Sequence, residues 1–302
     1  MPCMADDRRP GTGTSIGERI RSGERSFSFE FFPPKDEAGE AQLWRAIREL
    51  EPYRPTFVSV TYGAGGTTRD TTVAITGRIA KETSLLPMAH LTCVGHTNEE
   101  LERILDSFEG VGIDHVLALR GDPAEGPRAE WTPTPGGPTY ARELVEMAVR
   151  RKGMHVGVAA FPEGHPAAPS LDADARALVE KARAGAEFAV TQMFFDPADY
   201  FSLVERVRAL GSDIPIIPGI MPILNLRSIT RMGELIGCDV PDRVVRTFDG
   251  LTEAADVRAN GIRIAIDLSR ELLDGGAPGL HFYTLNRSRA TREIYEALHA
   301  DA

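Results

Sequence analysis

One acidic residue stands where acid is costly. In FSFEFFPPK, residues 27–35, Glu30 lies among four phenylalanines just ahead of a double proline. Burying an unpaired carboxylate is strongly unfavourable, so this side chain either meets a cation or does chemistry. A structural acid paired with Arg120 or another cation is one reading. The other is a general acid: Phe29, Phe31 and Phe32 on either side would desolvate the carboxyl, raise its pKa and let it deliver a proton near neutral pH. A second group follows in ALRGDP, residues 118–123. There Arg120 suits an anion, Gly121 allows close backbone approach, and Asp122 can orient a ring or a donor. The same three residues would equally make a salt-bridged turn. His165, between prolines in FPEGHP, and His90, in an apolar run, each have a bland counterpart as a solvated loop histidine and a satisfied core histidine. The glycines of YGAGGTTRD, residues 62–70, could cradle a phosphate at a helix N-terminus. No G-x-G-x-x-G in a βαβ setting and no G-x-x-x-x-G-K-[ST] occurs, so a Rossmann or P-loop nucleotide site has no support. H-E-x-x-H and clustered Cys and His are absent too, and no metal is expected.

These residues need a scaffold that turns them to one place. Short β-rich runs recur at 26–32, 56–62, 87–93, 114–120, 154–160, 188–195, 214–220 and 280–286, with helical periodicity between them. Thr97 with Glu100 forms a capping-box pattern, Asp196-Pro197 starts another helix, and Gly153 and Gly185 fit helix C-termini. Strand followed by helix, eight times, is the pattern of a (β/α)8 TIM barrel with extra helices in the long gap before the eighth strand. Its active site lies at the C-terminal strand ends. Those ends carry Glu30, Thr61 and Tyr62, His90 and Thr92, Arg120 and Asp122, Glu163 and His165, Gln192, and Tyr283, Asn286 and Arg287. The Pro- and Gly-rich stretch 122–140 reads as a long functional loop after the fourth strand. Residues 1–24 are expected to be a largely disordered tail with a short helix in SIGERIRSGE, and residues 25–302 a single barrel domain.

Composition narrows the partners. The chain has 302 residues and a formal net charge of −10, which argues against nucleic acid. Its three cysteines, Cys3, Cys93 and Cys238, are far apart and odd in number, as expected for a reducing, cytoplasmic protein. No apolar run approaches a membrane span, and the N-terminus lacks the apolar core of a secretory signal.

Assembled in order, FSFEFFPPK, FVSVTYGAGG, AHLTC, ALRGD, AAFPEGHP, TQMFFD, IPIIPGIMP and HFYTLNR resemble the bacterial methylenetetrahydrofolate reductase family from about residue 25 to the end of the chain. The resemblance implies FAD at the strand ends and NADH or NADPH as donor. It implies reduction of 5,10-methylenetetrahydrofolate to 5-methyltetrahydrofolate by a ping-pong route feeding methionine synthesis, in an enzyme expected to form a homo-oligomer. It makes Glu30 the acid that protonates folate N10, opening the ring to an N5 iminium, and Asp122 a stabiliser of developing positive charge. Gln192, Tyr283 and Arg287 would face the folate. Leu226 stands where some relatives carry an aromatic residue that packs on the substrate, and Glu180 where some carry a basic one. Flavin contacts carry over to Thr61, His90, Arg120, Gly121, Asp122, Tyr140, Ala141, His165, Asp174 and Lys181. The C-terminal regulatory domain of eukaryotic members, and control by S-adenosylmethionine, are not expected. Two other readings remain at this point: another flavin-dependent barrel, such as a proline dehydrogenase-like oxidase, and a silent flavin- or folate-binding protein, for which a desolvated acid would have no use.

Overall fold

A computed structural model of the chain describes residues 14–62, 69–123, 125–236, 238 and 240–300. The expected tail to residue 13 and the glycines at 63–68 lie outside the described residues. Eight parallel strands close into a barrel in chain order. They are β1 (Ser26–Phe31), β2 (Phe57–Val60), β3 (Pro87–Thr92), β4 (His115–Leu119), β5 (His155–Ala160), β6 (Phe188–Met193), β7 (Ile216–Ile220) and β8 (Gly279–Tyr283). All eight predicted strands are present. Several predicted ends overshoot, so Thr61, Tyr62, Arg120, Phe194 and Asn286 fall just past the ladder. The run of residues continues there, but the regular ladder has ended. Thr61 N still donates to the Phe31 carbonyl at 2.9 Å and Val94 N to the Arg120 carbonyl at 3.0 Å as the βα loops begin.

Outside the ring lie α2 (Glu37–Leu50), α3 (Arg69–Glu82), α4 (Asn98–Gly110), α5 (Ala141–Val149), α6 (Leu171–Arg183), α7 (Pro197–Ala209) and α11 (Ser288–His299), with α8 (Leu226–Ile236), α9 (Asp242–Arg246) and α10 (Ala254–Asp274) filling the gap before β8. The predicted capping box at Thr97 is formed: its hydroxyl accepts from Glu100 N and the Glu100 carboxylate accepts from Thr97 N. Asp196 caps α7 ahead of Pro197.

Strand alternation sorts the first strand. Phe27, Phe29 and Phe31 face outward into the helix-packed core with Leu43, Ile47 and Leu50. Ser28 and Glu30 therefore face into the barrel. The lower interior is apolar: Phe57, Met88, Leu117, Phe188 and Ile217 meet there. Gly157 makes room, since a Cβ on it would lie 2.7 Å from the Phe188 ring.

The floor is closed by α1 (Ile16–Arg21), which precedes β1. Ser15 caps it in a reciprocal box with Glu18. Ile16 and Ile20, 0% and 4% exposed, join the interior cluster, each burial worth roughly 1.5–3 kcal/mol. Polar contacts set the helix in place. Ile16 N–H donates to His115 Nε2 at 3.2 Å, and Ser15 Oγ donates to Glu187 Oε2 at 2.6 Å.

Candidate active site

With an apolar floor, the polar interior lies toward the C-terminal strand ends. Glu30 is 6% exposed there, and its neighbours are not the phenylalanines beside it in sequence. Alternation sends those to the helices. Two imidazoles replace them: His281 Nε2 lies 3.3 Å from Glu30 Oε2 and His90 Nε2 lies 3.5 Å away. Ser28 Oγ is 2.8 Å from His281 Nδ1. The register explains the grouping, because Ser28 pairs with His281 and Glu30 with Tyr283 across the β1–β8 seam.

Burial pushes His90 down to about 4, against the opposing pull of Glu30, so this ring is neutral across the physiological range. Burial, reinforced by Glu30, holds the Tyr283 phenol well above its usual value. That phenol donates to the Thr191 carbonyl at 2.6 Å, reaching over β7. Gly219 permits the crossing, since a Cβ there would lie 2.7 Å from the Tyr283 ring. Arg120 does not pair with Glu30. Among the described residues no lysine or arginine does.

Arg120 instead organises a second cluster. Its Nη2 lies 3.3 Å from Asp122 Oδ1 and 3.4 Å from His165 Nε2, and its guanidinium lies 4.7 Å from the centre of the Trp131 ring. Burial works against ionisation of Asp122, but His165 and Arg120 outweigh it and keep the carboxyl below its usual range. Gly121 has a local reason to be glycine: its φ is +79°, and a Cβ would lie 2.4 Å from Val94 Cγ1. Lys181, on α6, donates to the Ala159 carbonyl at 2.6 Å. Burial lowers it to about 8, with Asp174 opposing. Asp174 is raised by burial, partly offset by Lys181 and His165.

The remaining candidates are less tightly joined. Leu226 opens α8 and borders the same apolar cluster as Tyr283. Gln192 is half-buried, and its Oε1 accepts from Met193 N at 2.9 Å. Thr61 is half-buried just beyond β2. Tyr140 is 59% exposed at the start of α5, and Ala141 is that helix's first residue. Arg287 is exposed at the N-cap of α11, with no described contact to the other candidates. Residues that the sequence reading passed over are Ser28 and His281, each two positions before a candidate on the same strand face, and Trp131, on the loop.

The wall of β2 and β3 bears on what could bind. Among the described residues, Ser59 Oγ, His90 Nε2 and Thr92 Oγ1 are buried with no hydrogen-bond partner. All three lie on inward positions of their strands. Together with the Arg120, His165 and Lys181 side, this donor-rich surface fits a large polar cofactor carrying anionic groups. Among the described residues no group of three or more His, Cys, Asp or Glu is placed to hold a metal, and no helix is long and apolar enough to cross a membrane.

Comparison with known proteins gives a consistent result. The family model for methylenetetrahydrofolate reductase matches residues 15–299. The 5,10-methylenetetrahydrofolate reductase of Pectobacterium carotovorum is 38% identical over 97% of this chain and 95% of its own length. That of Escherichia coli K12 is 38% identical over 91% of each chain. Among solved structures, an uncharacterised protein from Clostridium thermocellum, described as binding two copies of 5-methyl-5,6,7,8-tetrahydrofolic acid, shares the fold with a TM-score of 0.70 at 12% identity, covering 95% of this chain and 100% of that one.

Proposed function

Because the chain belongs to the methylenetetrahydrofolate reductase family, we propose that it reduces 5,10-methylenetetrahydrofolate to 5-methyltetrahydrofolate with NADH or NADPH as donor, in two half-reactions relayed through FAD. When bound, FAD supplies a two-electron carrier that takes hydride from the nicotinamide and gives it to the folate. The product would feed methionine synthesis.

The observation that carries the reading is the setting of Glu30: an inward carboxyl, 6% exposed, whose nearest charged or chargeable neighbours are imidazoles rather than a lysine or arginine. A carboxyl locked to a cation would be held ionised. Glu30 meets no lysine or arginine among the described residues and is aimed by His281, itself contacted by Ser28. In this role it holds a proton for folate N10, and ring opening follows. Tyr283 and Leu226 border one wall and Gln192 lies on β6, across β7 from Tyr283, a setting for the pterin. Asp122, held ionised by His165 and Arg120, offsets developing positive charge. Arg120, His165 and Lys181 would hold the anionic part of FAD, while Ser59, His90 and Thr92 offer unpaired polar atoms to its rings or ribityl chain.

The test is anaerobic. Protein reconstituted with FAD is mixed with NADH or NADPH while the flavin band is followed, and then with methylenetetrahydrofolate. Bleaching followed by recovery is expected. Failure to retain FAD, or reduced protein that the folate does not reoxidise, would remove the proposal.

A further inference from the structure

We propose that Trp131 is a positioning residue, whose indole fixes the plane of the Arg120 guanidinium so that this cation meets an anionic ligand in one orientation. The identity of that ligand as FAD rests on the reading above. Arg120 is half-buried just past β4, and three of its sides are accounted for. Nε donates to the Gly121 carbonyl at 3.2 Å, Nη2 faces Asp122 and His165 at 3.3 and 3.4 Å, and Trp131 covers the ring plane at 4.7 Å. Within the described residues Nη1 makes no hydrogen bond. It is the guanidinium nitrogen left for a ligand.

The indole is not held there by a bond of its own, because among the described residues the buried Trp131 Nε1 has no acceptor. The loop holds it. Gly95 N donates to Thr134 Oγ1 at 3.0 Å, and Asn98 N donates to the Gly136 carbonyl at 2.9 Å. Gly137 packs so closely that a Cβ would lie 2.1 Å from the His96 carbonyl. The β4–α5 loop is thereby pinned to the β3–α4 loop just beyond Trp131, at Thr134, Gly136 and Gly137. An arginine has many rotamers and loses their freedom on binding. Stacking on a fixed aromatic face removes that freedom beforehand.

The experiment compares apoprotein carrying Trp131→Phe, Trp131→Leu, Arg120→Leu and the Trp131→Leu/Arg120→Leu pair, each titrated with FAD by flavin fluorescence and, separately, with inorganic pyrophosphate by calorimetry. Trp131→Leu, which keeps apolar bulk but has no π face, should weaken binding by about 3–30-fold. Trp131→Phe should restore most of it, and in the Arg120→Leu background the leucine change should cost nothing further. Wild-type affinity in Trp131→Leu, equal losses in the Leu and Phe variants, or additive losses in the pair would overturn the assignment. Wild-type protein that binds pyrophosphate with this pattern but not FAD would leave Trp131 in its role and remove the flavin reading. Wild-type protein that binds neither would end both.

Discussion

Replacing Glu30 with Gln removes a transferable proton while leaving the shape of the site almost unchanged. The amide has nearly the volume of the carboxyl, so no cavity opens at a position 6% exposed to solvent. It can still meet His281 and His90 at the 3.3 and 3.5 Å separations of the native side chain. What disappears is general acid catalysis, whose contribution is typically about 10²–10⁴-fold. At roughly 1.36 kcal/mol per decade this adds about 2.7–5.4 kcal/mol to the barrier of the folate half-reaction. Hydride transfer from the nicotinamide needs no proton from Glu30 and should keep its rate. Anaerobic stopped-flow absorbance separates the two events: the variant should bleach normally with NADH or NADPH and recover with methylenetetrahydrofolate at least a hundredfold more slowly. Recovery at the wild-type rate would refute the acid assignment. An equal fall in both steps would refute the argument another way, because it would mean that the carboxyl supports the cofactor or the fold.

Further outcomes follow from the surrounding charges and backbone. Lys181 is cationic below about 8 and neutral above it in the free protein, so affinity for FAD should fall as pH rises through that value, and Lys181→Met should be weaker at neutral pH and lack the inflection. His90 is depressed from 6.5 to about 4. The unfolded chain then takes up a proton in that window which the native protein does not. Stability should decline as pH falls from 6.5 to 4, by at most about 1.4 kcal/mol per unit from this group, and urea melts of His90→Gln should show a shallower slope there. Gly121→Ala must place a methyl against Val94 and adopt φ +79°, so it should lose about 1–3 kcal/mol in denaturant melts, with FAD absent, if the glycine serves local packing.

The architecture was legible because each strand of a closed parallel barrel is buried on both faces and stands out as a short apolar run between helical periods. Strand ends were harder to read. At Thr61, Arg120 and Asn286 composition does not mark where the ladder stops. The desolvation of Glu30 was inferred from the wrong neighbours. Residues one position away point to the opposite face, and a period of two leads instead to Ser28 on the same strand. His281 could have been found by the same rule, two places before Tyr283. The meeting of His281 with Glu30 needed the β1–β8 register, which depends on closure of the whole ring, and His90 reaches it from β3. Trp131 had no local signal, because its place over Arg120 is set by a loop pinned to a neighbouring loop. For α1 a signal did exist in Ser15 and Glu18, which have capping-box spacing.

That first helix has a consequence for the order in which the protein is built. Its serine is bonded to a glutamate 172 positions later, and its isoleucine amide to a histidine 99 positions later. During translation α1 emerges before either of its permanent partners exists. Such distant pairings slow folding through the entropy of joining remote segments. Until then Ile16 and Ile20 are an exposed greasy face on the nascent chain, the kind of surface that chaperones engage.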